Sequence, residues 1–145
     1  MTSLAILTCV TGEPDALRKT ADSISPFLSE NLKWVIKFSD KSNEDFTNSF
    51  AGENIEIYRE SDVSLYDAMN QCLSYCQQDY YLVLGAGDMI LPDAMEVLLR
   101  QLKGETLNAV SYHAPILFAA TGVVSQPDPN SMKYFMSCPH PSSLL

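Results

Sequence analysis

Asp88 is the carboxylate in this chain best placed to do chemistry. It closes the stretch DYYLVLGAGD, residues 79–88, in which an apolar run from Tyr80 to Leu84 meets Gly85-Ala86-Gly87. Five apolar residues suit a buried strand and are too few for a helix core. The two glycines free the backbone for a tight turn with positive φ. A strand that delivers a lone carboxylate to the carboxyl edge of a sheet is a common way to build a ligand site in α/β folds. The competing reading is that Asp88 merely closes a surface turn, as Asp often does.

A second grouping could hold metal. Cys72 and Cys76 are four residues apart, so they share a helix face, and His113 and His140 could in principle join them around zinc. Structural zinc pairs more often sit on loops or knuckles. Both cysteines instead fall in the apolar stripe of a helix, where a free thiol packs as a small hydrophobe. The expectation for the four cysteines (Cys9, Cys72, Cys76 and Cys138) is reduced, buried thiols rather than a zinc site.

The elements that must position these groups read in order along the chain. Leu4 to Thr8 is a first apolar strand. Thr11-Gly12-Glu13-Pro14 turns into a helix with Ala16, Leu17, Thr20 and Ile24 inward, ending by Pro26. Trp34 to Phe38 is a second strand, followed by a polar turn holding Asp40. Phe46 to Phe50 is a short helix, and Asn54 to Tyr58 alternates as a third strand. Ser64 is placed to cap a helix, with Asp67 three residues on. That helix runs from Leu65 to about Gln77, with Leu65, Ala68, Met69, Cys72, Leu73 and Cys76 on one apolar face. After the strand leading to Asp88, Pro92 opens a further helix carrying Ala94, Met95, Leu98, Leu99 and Leu102. Asn108 to Tyr112 and Pro115 to Ala119 read as strands, the latter paired in a hairpin with Gly122 to Val124.

Strands alternating with helices predict a parallel sheet with right-handed crossovers and helices on both faces, an α/β fold. Its carboxyl edge then collects three polar loops: the one after Thr8, the one with Asp40 and the one with Asp88.

The totals bound the function. A chain of 145 residues suits one domain, and 46% hydrophobic with 19% charged residues describes an ordinary globular protein able to bury a core. The net charge of −9, from 18 acids against 9 Lys and Arg, argues against nucleic acid or anionic membrane as the main partner. A small anionic ligand remains compatible, since a divalent cation can bridge acidic protein and phosphate. The N-terminus MTSLAILTCV lacks the basic region and cleavage site of a signal peptide, and no run approaches the ~18 apolar residues of a membrane span. A cytoplasmic protein with no integral membrane span is expected. No G-x-G-x-x-G or P-loop lysine appears, which disfavours an unrelated phosphate-binding doubly wound domain.

Two segments carry a resemblance. Glu60-Ser-Asp62-Val-Ser-Leu-Tyr66-Asp67-Ala68-Met69-Asn70-Gln, followed by Tyr-Leu-Val-Leu-Gly-Ala-Gly-Asp88, resembles the family 2 glycosyltransferases. There a pattern of the form SE-x-D-x-G-I-YDAMN-K-G precedes a strand ending in an acidic turn. The subgroup it is most similar to assembles bacterial surface polysaccharides. Ser-Asp40-Lys-Ser42 resembles that family's D-G-G-S-T-D turn, and Leu-Ala-Ile-Leu-Thr8 its first strand.

The resemblance implies a GT-A (nucleotide-diphospho-sugar transferase) fold and transfer of a sugar, with inversion, from a nucleotide-diphosphate donor. A UDP-sugar would be the donor and a saccharide or lipid-linked molecule the acceptor. It implies that Thr8 and Val10 border the base and ribose, that Asp40 contacts the uracil or ribose, and that Asp67 and Asn70 lie near the donor sugar and diphosphate. Asp88 would be the last acid of a D-x-D element that holds Mg²⁺ or Mn²⁺ with the diphosphate. His140 would stand beside the acceptor. The residues themselves leave other roles open: Asp67 as a helix cap, Asp40 as an ordinary turn residue, His140 as a loop histidine.

Three features depart from the family pattern. Ala86 takes the first acidic position of D-x-D, and Pro141 follows His140 where Gln is usual. The chain also ends at Leu145, where such enzymes continue for roughly 100 residues that carry acceptor contacts and the general base, a group worth about 10²–10⁴-fold in rate. The expected domain is therefore a single nucleotide-sugar-binding unit over residues 1–145 without that acceptor portion. The alternative is a catalytically inactive nucleotide-binding or assembly module. Late apolar residues, Phe118, Val123, Val124, Phe135 and Met136, further predict self-association as a homodimer.

Overall fold

The structure, a computed structural model, describes residues 2–103, 112–113, 116–118, 121–125 and 143–144. Four parallel strands form its centre: β1 (Leu4–Val10), β2 (Leu32–Phe38), β3 (Ile55–Arg59) and β4 (Tyr80–Val83). The helices between and after them are α1 (Leu17–Ile24), α2 (Glu44–Asn48), α3 (Leu65–Tyr75) and α4 (Pro92–Lys103). A 3₁₀ turn at Ser25–Phe27 takes up Pro26 where α1 stops. Short strands follow: β5 (Tyr112–His113), β6 (Ile116–Phe118), β7 (Val123–Ser125) and β8 (Ser143–Leu144). The main sheet has the order β3-β2-β1-β4-β8-β5, with β8 antiparallel to both its neighbours. β6 and β7 pair as the expected hairpin.

This order fixes which face each helix covers. The chain steps from β1 to β2 to β3 in one direction, then returns across β1 to place β4 on its other side. Crossovers of a single hand must change face when the direction reverses. Accordingly, Leu17 and Ile24 of α1 and Phe50 after α2 share one core with Ile6, Trp34, Ile36 and Phe38 of the sheet, and Met95 and Leu102 of α4 pack into the same core. α3 lies on the opposite face, where Ala5, Leu7, Val35 and Cys72 form a smaller core.

One expectation needs correction. Leu65 and Leu73 were placed on the buried face of α3, but they are 65% and 39% exposed. Only Ala68 and Cys72 of that helix are fully buried, because the contact is a narrow strip of small residues against one face of β1 and β2. Of the expected strand from Asn108 to Tyr112, Tyr112 is in β5, while residues 108–111, like Phe135, Met136, Cys138 and His140, lie outside the described residues.

The amino edge of the sheet is clamped. Ser3 donates its backbone N–H and its hydroxyl to Asp79 Oδ2 at 2.7 and 2.8 Å, tying β1 to the start of β4. These two donors hold the Asp79 carboxyl below the usual carboxylate range.

Candidate nucleotide site at the carboxyl edge

The strand order reverses between β1 and β4, so the crevice at their carboxyl ends is the topological switch point of the sheet. β1 pairs with β2 along all seven residues but with β4 only from Leu4 to Leu7. A last bond, from the Leu84 N–H to the Leu7 carbonyl at 2.9 Å, ends the β1–β4 pairing. Beyond it the two strands lead into separate loops.

The Gly85–Asp88 turn forms one wall. The Asp88 N–H donates to the Gly85 carbonyl at 3.0 Å, and Gly87 adopts φ +100° at the position where a type II turn needs it. A β-carbon at Gly87 would come within 3.0 Å of the Ala16 β-carbon, so the turn packs tightly on the start of α1. Thr20, fully buried on α1, holds the turn in place. Its hydroxyl donates to the Asp88 carbonyl and accepts from the Gly87 N–H, both at 2.8 Å. Farther along, the Ile90 N–H donates to Ser23 Oγ at 3.3 Å. The Asp88 side chain stays exposed, and its Oδ2 accepts from the Gly85 N–H at 3.2 Å.

The β1 and β2 loops form the opposite wall. The Ser39 N–H donates to the Val10 carbonyl at 2.8 Å, and the buried Ser42 hydroxyl donates to the Gly12 carbonyl at 2.8 Å. Asp40 is exposed between them, and its carbonyl accepts from Arg59 at 2.8 Å. Thr8 and Val10 are buried, and Thr8 Oγ1 accepts the Trp34 indole N–H at 3.0 Å. Those two residues thus present backbone to the crevice while their side chains belong to the core.

α3 begins at the same edge. Ser64 Oγ accepts the Asp67 N–H at 3.1 Å, and Asp67 Oδ2 accepts the Val63 N–H at 3.0 Å, so Asp67 serves its own helix terminus as a capping box does. Asn70 is exposed. Leading into α3, Asp62 pairs with Lys37, whose side chain is fully buried in β2. Thr8, Val10, Asp40 and Asp88 thus lie at the ends of β1, β2 and β4 on one edge, with Asp67 in the first turn of α3; Asn70 is exposed farther along that helix, and His140 lies outside the described residues. Thr20 and Lys37 were not picked out as site-building residues from sequence, although helical spacing already put Thr20 inward.

Known structures match this architecture. The chain superposes on Staphylococcus aureus TarS with a TM-score of 0.55 at 10% identity, over 68% of this chain and 19% of that one. It superposes on 4-diphosphocytidyl-2C-methyl-D-erythritol synthase with a TM-score of 0.60 at 13% identity, over 98% of this chain and 74% of that one. The fold is GT-A-like. It is an α/β, Rossmann-like sheet with helices on both faces. No protein-family profile and no curated protein matches the sequence.

Among the described residues, no three His, Cys, Asp or Glu side chains converge on a metal-sized site. A single exposed carboxylate at a sheet-edge turn does fit a cation shared with a ligand's phosphates, since Mg²⁺ is commonly held by one or two carboxylates plus phosphate and water. No helix among the described residues is long and apolar enough to cross a membrane.

Proposed function

We propose that this chain is the donor-binding domain of a metal-dependent, inverting glycosyltransferase. It takes a nucleotide-diphosphate sugar, a UDP-sugar first of all, and serves transfer to a polysaccharide or glycolipid acceptor in the cytoplasm. The observation that carries the reading is the Gly85–Asp88 turn: its backbone is held by a buried threonine, and it presents an exposed carboxylate at the switch point of a GT-A-type sheet. In this reading Thr8, Val10 and Asp40 line the base and ribose, Asp67 and Asn70 lie toward the sugar diphosphate, and His140 stands on the acceptor side. Mg²⁺ or Mn²⁺, when bound, neutralises charge on the departing nucleotide diphosphate. Asp88 would be the residue that holds that ion at the turn, and through it the donor's diphosphate.

Calorimetric titration of UDP with and without Mn²⁺, on this chain and on Asp88→Ala, tests the donor site. Binding that requires Mn²⁺ and weakens at least about tenfold in the variant supports it, a loss of the size expected for a charged contact. Equal binding by both proteins would sink the role of Asp88. A second reading, a nucleotide-binding module without turnover, is favoured by Ala86, which puts a methyl group where the family pattern has its first acid. Metal-dependent UDP binding without hydrolysis of a UDP-sugar would select it.

A further inference from the structure

On the α3 face, behind the crevice, two thiols meet beside a buried ion pair. Cys9 of β1 and Cys72 of α3 pack in the same small core with Ala5, Leu7 and Val35. Cys72 is fully buried, its Sγ 3.8 Å from the Val35 carbonyl. Cys9 is partly exposed, two residues past the last β1 residue that pairs with β4. Strand register sets Lys37 directly beside it, and Lys37 in turn pairs with Asp62.

The two sulfurs are not equivalent. Their proximity in this core raises the Cys72 thiol, burial adding to the rise, and lowers the Cys9 thiol. The Lys37 ammonium lowers Cys9 further, opposed by burial and by the Asp62 carboxylate. Half-exposed and beside a cation, Cys9 has the setting of a reactive thiol, whereas Cys72 does not.

We propose that Cys9 and Cys72 form a peroxide-oxidisable pair in which Cys9 is attacked first and Cys72 resolves it. The Cys9 thiolate attacks hydrogen peroxide: an S–O bond forms, the O–O bond breaks, and hydroxide leaves, so sulfur is oxidised by two electrons as peroxide is reduced. The Cys72 thiol gives its proton to that hydroxide. Its sulfur then displaces the oxygen from Cys9, which departs as hydroxide and leaves as water once protonated, and an S–S bond replaces the S–O bond. The bond would join α3, which carries Asp67 and Asn70, covalently to β1.

The test is peptide mapping by mass spectrometry of the full chain, reduced, desalted and treated with hydrogen peroxide. A non-reduced peptide pair joining Cys9 to Cys72, two hydrogens lighter than its parts, supports the proposal. So does a dimedone adduct on Cys9 in Cys72→Ser, formed at least about tenfold faster than any adduct on Cys72 in Cys9→Ser. Cys9 and Cys72 remaining fully alkylatable after peroxide, or Cys9 linking instead to Cys76 or Cys138, would overturn it. The wild-type mapping decides by itself if a variant fails to fold.

Discussion

Thr20 shows how much one hydroxyl can organise. It lies 68 residues from Asp88 in sequence yet bonds both the Asp88 carbonyl and the Gly87 N–H. Thr20→Val keeps the shape but leaves both backbone groups without that partner, at about 1–3 kcal/mol for each buried group so stranded. We predict a loss of ~2 kcal/mol in urea unfolding, together with weaker Mn²⁺-dependent UDP binding, although Thr20 itself is buried. Unchanged binding would show that the turn holds its shape without the threonine. The Gly-Ala-Gly-Asp turn was legible because glycine and aspartate announce turns locally. The bond that holds it was not, since helical periodicity says that Thr20 points inward and nothing about what it meets there. The capping role of Asp67 was legible from its place three residues after Ser64, and the structure displays it.

At the scale of the element, α3 is the instructive case. Its start, cap and direction followed from Ser64, Asp67 and the apolar stripe, yet Leu65 and Leu73 stand in solvent. Period alone cannot say how wide a strip the sheet covers, and here small residues set that width. The loop before α3 is anchored by Asp62 on Lys37. Removing one partner of such a pair strands the other charge, which costs about 3–5 kcal/mol for a buried group. Because Lys37 is fully enclosed, Asp62→Ala is predicted to cost more than Lys37→Met, which removes the buried charge and leaves Asp62 only at the margin of solvent. Paired denaturation curves of the two variants check this order, and the reverse order would show that the pair is not the anchor. A lysine in an alternating strand gives no sign in sequence that its partner lies 25 residues on.

For the whole molecule, the strand–helix alternation carried the topology of β1 to β4, because parallel strands need crossovers and crossovers have one hand. The short later strands were less legible, being two or three residues long and held by pairing instead of periodicity. Several large apolar side chains are exposed: Val63, Leu65, Tyr66, Met89 and Leu91 follow β3 and β4 at the carboxyl edge, and Val123 and Val124 lie on the hairpin. Surfaces of this kind commonly serve association. We predict a homodimer in light scattering after size-exclusion at micromolar concentration, reverting toward monomer in Val123→Glu/Val124→Glu. A monomer across that range would remove the expectation.

The unequal pairing of β1 has a consequence for how the backbone meets solvent. Val10 turns its carbonyl toward the β2 side, so Cys9 turns its amide the other way, just past the last bond to β4. That amide lies at the mouth of a seam where the sheet has parted, next to a strand otherwise enclosed on both sides. Its hydrogen should exchange with deuterated water far sooner than those of Leu4 to Leu7, and should slow when a nucleotide fills the gap. The protein would thereby report occupancy through a single main-chain proton, with no turnover required.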